Sequence, residues 1–386
     1  MEGKVNYCLN RIELQQQRAW ITIDHKALRH NVKAIKQWLK PNCRLMAVIK
    51  ADAYGHGAVK VAETLVDAGV DYLAIATLGE GIELREAGIK KPILILGAIN
   101  TAAEVKEIIR YNLEPTLCTP QQIPIFADVV NSLNTTLDVH LKLDTGMSRL
   151  GTRWENAVEF VRCLLQFPRL RLKSIYSHLA TADEPDTTFM KIQQSRFEEA
   201  ISRIKALGVK IPLLHLANSA GTLADTSLHY DLVRVGLCLY GLYPAPHLKD
   251  VIPLKPVLEV KARITQIKHL PPNTGVSYGH TYKCPREIKM AVVAIGYADG
   301  VPRLLSNRMK VIVKGRYAPQ IGNITMDQLM IDVSDFEDIE VGDIVTLLGR
   351  EKDAIISADL WANTIGTISW EILCGFKHRL PRIHLY

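Results

Sequence analysis

Between residues 45 and 236 the chain alternates short apolar runs with longer segments of helical periodicity, and no other feature limits its fold so strongly. The runs are LMAVIK (45–50), DYLAIAT (71–77), PILILG (92–97), LEPTLC (113–118), TLDVHLKLD (136–144), LKSIYSH (172–178), IPLLHLAN (211–218) and LVRVG (232–236). Each has strand length. Helical patterns over 56–68, 121–130, 154–166 and 187–207, with the helical EGIELREAG after the second run, separate them. Thr101 followed by Glu104 marks a further helix start by the capping-box pattern. Eight strand–helix units in sequence predict a parallel (β/α)8 TIM barrel rather than an open sheet. No Gly-x-Gly-x-x-Gly follows the first run, which argues against a dinucleotide fold. An extra helix before the first run is expected, capped by Asp24 and carrying Leu28, Val32, Ile35 and Leu39 as its apolar stripe.

The pattern changes at GLYPAPHLKD (241–250). After it, strand-like segments dominate: 257–267, 287–295, 309–315, 328–333 and 343–349, with two short helices starting near Ser357 and Thr367. The expected division is an N-terminal extension (1–18), a barrel (19–250) and a β-rich C-terminal domain (251–386). A length of 386 residues accommodates both domains. At 48% hydrophobic and 23% charged, the composition excludes a disordered chain. No apolar run is long enough to span a bilayer, and no secretory signal is seen. The seven cysteines are scattered, without metal-ligand spacing, so reduced thiols in a cytoplasmic protein and no metal are expected. The net charge of +7 is dispersed, unlike the basic stripe of a nucleic-acid binder.

Barrel active sites lie at the C-terminal ends of the strands. There the runs place Lys50, Lys142, Asp144, His178, Asn218, Ser219, Arg234 and Gly236, with Arg149 just beyond the fifth. Taken singly, each has an ordinary explanation: a snorkelling lysine, a surface ion pair, a hydrogen-bonded core histidine. Taken together they describe a rim fit for a phosphate and a carboxylate, with Lys50 as a Schiff-base lysine.

AVIKADAYGHG (47–57) resembles the pyridoxal-phosphate attachment motif of the alanine racemases. HLKLDTGMSRLG (140–151), SHLATAD (177–183), ANSAG (217–221), VRVGLCLYGL (233–242), VSYGHTY (276–282), GYADGVPR (296–303), IGNITMDQ (321–328) and RLPRIHL (379–385) are similar to further segments of that family, in its order. The resemblance covers nearly all of the chain after about residue 19. It implies a barrel plus a β-domain, pyridoxal 5'-phosphate, a small amino-acid substrate and a head-to-tail homodimer. Residue by residue, it makes Lys50 the cofactor's covalent anchor. Tyr54, Ser219, Gly236 and Leu237 would bind the phosphate, with Asn218 also on the cofactor. His178 would pack by the pyridine ring and support Arg234, which would face the pyridine nitrogen. Arg149 would hold the cofactor's phenolic oxygen and the substrate carboxylate. Lys142 corresponds to a lysine often carbamylated in the family. Tyr278 of the partner subunit would be the second base opposite Lys50, with Tyr297 and Met326 lining the pocket and Asp327 close by.

Racemisation of alanine is the leading expectation. Alternatives are a serine or alanine/serine racemase, such as the cytoplasmic domain of a longer membrane-attached protein, and a non-catalytic pyridoxal-phosphate carrier. The carriers lack a β-domain, so residues 251–386 argue against that class. A decarboxylase on the same fold would be larger and would carry a Cys-Asp segment not found here.

The sequence departs from the family at two places. Thr325 stands where many members have cysteine, and KHRLPR puts His378 where a tyrosine is common. Imidazole is shorter than a phenol and can donate or accept a hydrogen bond, which would leave room and a partner for the hydroxyl of serine. A pocket rejects an added hydroxyl only weakly, by roughly 10²-fold, so one residue can tilt the balance. His378→Tyr should therefore lower kcat/KM for serine relative to alanine. An unchanged ratio removes His378 as a determinant of specificity.

Overall fold

The computed structural model describes residues 17–249 and 251–386, so the expected extension 1–18 lies largely outside the described residues. The chain divides into two compact units. One comprises Leu28–Ala53 and Ala58–Lys255; the other comprises residues 17–27, Tyr54–Gly57 and Pro256–Tyr386.

The first unit is the barrel that the alternation predicts. Its parallel strands are Arg44–Val48, Tyr72–Ile75, Ile93–Ala98, Glu114–Leu117, Leu137–Asp144, Leu170–Tyr176, Leu214–His215 and Leu232–Val235. Their order around the sheet follows the chain, and the last strand pairs with the first, Leu232 opposite Arg44. The ring closes between the seventh and eighth strands through Asp231 N–H to Leu214 O (3.1 Å) and Arg234 N–H to Ala217 O (3.0 Å). Pro115 does not interrupt its strand, which pairs on both sides. The expected seventh strand shortens to two residues, because the chain after His215 turns away toward the helix Ser219–Ala224. The helix Ala102–Arg110 starts with the expected Thr101–Glu104 capping box, and Leu78–Glu86 has another from Thr77 and Glu80.

The second unit is a nine-stranded sheet. Its order is Ala354–Ile356, Ile344–Glu351, Lys310–Val313, Arg316–Ile321, Leu329–Asp332, Ile288–Val293, Leu258–Leu270, Ala19–Asp24 and Arg382–Leu385. A further pairing of Ile344–Glu351 with Leu258–Leu270 curls the sheet on itself. The strand Ala19–Asp24 was not anticipated from the sequence. It pairs antiparallel with Leu258–Leu270 and parallel with Arg382–Leu385. Asp24 then caps the helix His25–Trp38 as expected, its Oδ1 accepting from the N–H groups of Lys26 and Ala27. No helix among the described residues is long and apolar enough to cross a membrane.

One local conformation escapes any pattern of hydrophobicity. The turn Lys50–Gly55 is helical, yet Ala51, Asp52, Ala53 and Tyr54 have φ between +53° and +55° and Gly55 has +80°. It is a left-handed helical turn made mostly of residues with a Cβ, which costs about 1–2 kcal/mol per residue. Three hydrogen bonds offset part of that cost. Glu80 Oε1 accepts from Ala51 N–H (2.7 Å), Asp52 Oδ1 accepts from Ala58 N–H (2.7 Å), and Ala53 N–H reaches back to Ile49 O (2.9 Å). The exposed Ala51 gives a clean test. Ala51→Gly relieves the Cβ clash and should leave stability unchanged or raise it by about 1 kcal/mol. Ala103→Gly, on the exposed face of the right-handed helix Ala102–Arg110, should lower it by about 1 kcal/mol. Urea unfolding of both variants checks the opposite signs.

Candidate active site

In the barrel unit the residues named from the sequence gather at the C-terminal ends of the strands. Lys50 follows the first strand at the start of the left-handed turn, and Ile49 N–H is tied to Ala74 O (2.8 Å). Tyr240 Oη donates to Val48 O (3.0 Å), fixing the strand end beneath it. Tyr54 sits buried in the same turn.

Arg234, on the eighth strand, is buried and held through both Nη atoms. Nη1 donates to His215 Nδ1 (2.8 Å); Nη2 donates to Ser177 O (2.6 Å), Leu216 O (2.9 Å) and, more loosely, His178 Nδ1 (3.3 Å). The guanidinium lies over the Tyr176 ring at 5.1 Å, and that ring stacks on His215 at 4.6 Å. Burial pulls the arginine down to about 10, still far above neutrality. His178 is pushed well below the ordinary histidine range, first by burial and then by the charges of Arg234, Lys142, Arg149 and Lys50. All four charges act on this one imidazole, Arg234 at 3.3 Å.

Lys142, buried on the fifth strand, has its ammonium 5.6 Å from the Tyr176 ring centroid. Burial, then the charge of Arg234, brings it down to about 8. Beyond it the chain doubles back. Asp144 Oδ1 accepts from Gly146 and Ser148 N–H (3.0 Å each), and Gly151 passes so close that a Cβ there would meet Lys142 O at 2.8 Å. This loop presents Arg149, exposed, on a cleft of about 430 Å³ shared with Cys118, Gln122 and Asn100. At the seventh and eighth strand ends, Asn218 caps the helix Ser219–Ala224, with Oδ1 taking Gly221 N–H (2.9 Å). That leaves the preceding N–H groups without an intrahelical partner. Ser219 Oγ accepts from Gly236 N–H (3.0 Å), so Ser219, Gly236 and Leu237 form one rim.

The β-rich unit assembles its own set. Tyr278 opens the turn Tyr278–His280, 73% exposed, after Ser277 at φ +62°. Asn323 clamps this turn, its Nδ2 donating to Tyr278 O (2.7 Å) while its carbonyl accepts from Ser277 Oγ (2.7 Å). Tyr297 and Ala298 N–H groups donate to Thr325 O and Met326 O (3.0 Å each). Gly296 is required there, because a Cβ would meet Thr325 O at 2.2 Å. Tyr278, Tyr297 and Met326 are thereby linked through the segment 323–326 and remain solvent-facing. Asp327 pairs with Arg379 (2.7 Å), next to the exposed His378. A cleft of about 890 Å³ runs beside Tyr278.

Several residues of this site were not singled out from the sequence: the half-buried Glu80 and Glu114, and the buried His140, Ser174, Tyr176 and His215. The available signal was polar residues at alternate positions of otherwise apolar strands, His140-x-Lys142-x-Asp144 and Ser174-x-Tyr176-x-His178, which puts them on one face.

A parallel barrel followed by a curled β-sheet unit, with cations massed at the barrel's C-terminal rim, defines a class of two-domain barrel proteins built to hold an anionic ligand. Residues 23–244 match the family description "Alanine racemase, N-terminal domain", and residues 257–384 match "Alanine racemase, C-terminal domain". The chain is 60% identical over 368 residues to the alanine racemase of Synechocystis, covering 95% of this chain and 99% of that one. It superposes on the alanine racemase of Clostridium difficile with a TM-score of 0.91 at 35% identity, covering 96% of each chain. It superposes on a Bartonella henselae alanine racemase, described with covalently bound pyridoxal phosphate, with a TM-score of 0.86 at 29% identity, covering 96% of this chain and 100% of that one. The chain belongs to the alanine racemase family.

The depressed Lys142 amine has a consequence for stability. In the unfolded chain this lysine keeps its proton up to its ordinary value of 10.5, whereas in the fold it loses it near 8. Between those values the unfolded state binds more protons, so this group makes stability rise with pH. Lys142→Met should flatten that rise, measured as the difference in urea unfolding between pH 7.5 and 10 in carbon-dioxide-free buffer.

Proposed function

We propose that the chain interconverts L- and D-alanine, with pyridoxal phosphate held on Lys50. The observation that carries this reading is the buried Arg234 bonded to His215 and His178 at the barrel rim, with Lys142 over the same Tyr176 ring and Lys50 opening the left-handed turn after the first strand. The names of the relatives support alanine as substrate, and the described ligand of the Bartonella protein supports the cofactor.

The donor set fits that cofactor. A cluster of cations calls for an anionic occupant, and the N–H groups of Ser219 and Leu237 with the Ser219 hydroxyl, whose oxygen accepts from Gly236 N–H, suit a phosphate. Tyr54 and Asn218 complete this end. What the cofactor supplies is delocalisation of the charge left at Cα when its proton departs. Arg234 keeps its proton, so it offers only N–H toward a pyridine nitrogen. That leaves the ring a weaker electron sink than a carboxylate partner would make it, which favours simple return of the proton over transamination. His178, uncharged, packs beside the ring without adding a second cation. Arg149 fixes the substrate carboxylate with its planar fork.

Lys50 Nζ moves the Cα proton on one face, and Tyr278 of the partner subunit moves it on the other. The exposure of Tyr278, Tyr297 and Met326 suits residues that complete a neighbouring copy's site. On this reading the barrel unit binds the cofactor, the β-rich unit serves the partner, and the working unit is a cytoplasmic homodimer. Asp327 with Arg379, and His378 beside them, frame the approach. The neutral fraction of Lys142 is nucleophilic toward carbon dioxide. A carbamate there would place an anion between Arg149 and Arg234, where an ammonium repels both.

Two bases predict an asymmetric loss. Tyr278→Phe should suppress Cα-proton exchange with solvent far more for one alanine enantiomer than for the other, by about 10²–10⁴-fold. Exchange rates read by NMR in deuterium oxide check this; equal small losses for both enantiomers refute the assignment.

A further inference from the structure

Five consecutive barrel strands each contribute one residue to a single buried hydrogen-bond chain. Arg234 Nη1 meets His215 Nδ1 (2.8 Å); His215 Nε2 meets Ser174 Oγ (2.8 Å); Ser174 Oγ meets His140 Nδ1 (2.6 Å); and His140 Nε2 meets Glu114 Oε2 (2.8 Å). Register puts the links side by side: His140 lies opposite Ser174 in the ladder, and His215 lies opposite Tyr176. His140, Ser174 and His215 are wholly buried, and the Glu114 side chain is 14% exposed.

The ends of the chain fix its direction. A guanidinium only donates and a carboxylate only accepts. His215 must therefore accept at Nδ1 and donate from Nε2, Ser174 must accept from His215 and donates in turn to a neutral His140, and His140 must donate from Nε2 to Glu114. With both imidazoles neutral they are Nε2–H tautomers and every partner is satisfied; a second proton on His140 would sit on Nδ1, where Ser174 Oγ can accept it with its second lone pair, and the contact to Glu114 would stand. Burial and the charge of Arg234 oppose a proton on His215, in keeping with a neutral ring. Arg234 has no carboxylate within ion-pairing distance among the described residues, so Glu114, at the far end of the chain, is the anion to which its charge is coupled.

We propose that Glu114 is a positioning residue of the catalytic site, acting through His140, Ser174 and His215 to hold the Arg234 guanidinium in one orientation and charge state against the cofactor ring. The inference rests on the reading that Arg234 faces that ring. Removing the charge alone, in Glu114→Gln, leaves an oxygen able to accept from His140 but no anion. Coupling carried through such networks is modest. In the holoenzyme, kcat for alanine should fall about three- to thirty-fold with KM little changed, and pyridoxal phosphate, followed by its absorbance, should dissociate faster. Glu114 also lies in the field of Lys173, so Lys173→Met serves as the control and should change neither quantity.

Unchanged kcat and cofactor release in Glu114→Gln, or the same losses in Lys173→Met, overturn the inference. If the glutamine variant does not fold, histidine ¹⁵N shifts of the wild-type holoenzyme still decide it. His140 and His215 should both carry a proton on Nε2, and an unprotonated Nε2 on either reverses the chain and removes Glu114 as its anchor. Failure of the underlying reading would look different: the wild-type protein would yield no cofactor-bearing Lys50 peptide after borohydride reduction.

Discussion

The barrel interior is organised around one buried guanidinium. Barrels of this kind are normally filled by branched aliphatic layers, but here the buried strand residues include Thr116, His140, Ser174, Tyr176, His215 and Arg234. A buried cation without an adjacent carboxylate is costly, and the surroundings are arranged to satisfy it. Two backbone carbonyls and His215 take its protons, Tyr176 offers its ring face, and Thr116 meets the Tyr176 hydroxyl at 2.8 Å. Because each of these groups is itself spoken for, the arginine has one orientation. His178 and Lys142 take their unusual proton affinities partly from its field.

The same economy shapes the lysine that would carry the cofactor. Lys50 could have continued a right-handed βα-connection. Instead the four residues after it run left-handed, held by Glu80, Asp52 and the Ile49 carbonyl. Glu80 does two things at once: one oxygen closes the cap of the helix Leu78–Glu86 and the other accepts from Ala51. Strain of this sort persists only where neighbours over-determine it, and it gathers at functional sites. Here it fixes where the amine emerges from the first strand.

Division of labour between the units follows from their chemistry. The barrel supplies cations and N–H donors suited to a bound anion. The β-rich unit supplies exposed Tyr278, Tyr297 and Met326 on a clamped loop cluster. The Tyr278 turn is firmly held, and its hydroxyl has no hydrogen-bond partner among the described residues, which suits a group that works on something outside its own unit.

Much of this was legible in the sequence. Strand-length apolar runs spaced by helical periods determined the barrel, since both periodicities are local. The strand ends placed Lys50, Lys142, His178, Ser219 and Arg234 on one rim without further information. The sequence could not show the strand Ala19–Asp24, whose partners lie more than 230 residues away at Leu258–Leu270 and Arg382–Leu385. Nor could it show the left-handed turn, because alanine and aspartate give no sign of positive φ and only tertiary hydrogen bonds make it tolerable. The relay from Glu114 to Arg234 was equally hidden. Its members are ordinary polar residues on five separate strands, and only ladder register brings their atoms within hydrogen-bond distance. The chain's own pattern determined which residues face the barrel interior; which of them touch, and which way their protons point, was decided by closure of the sheet.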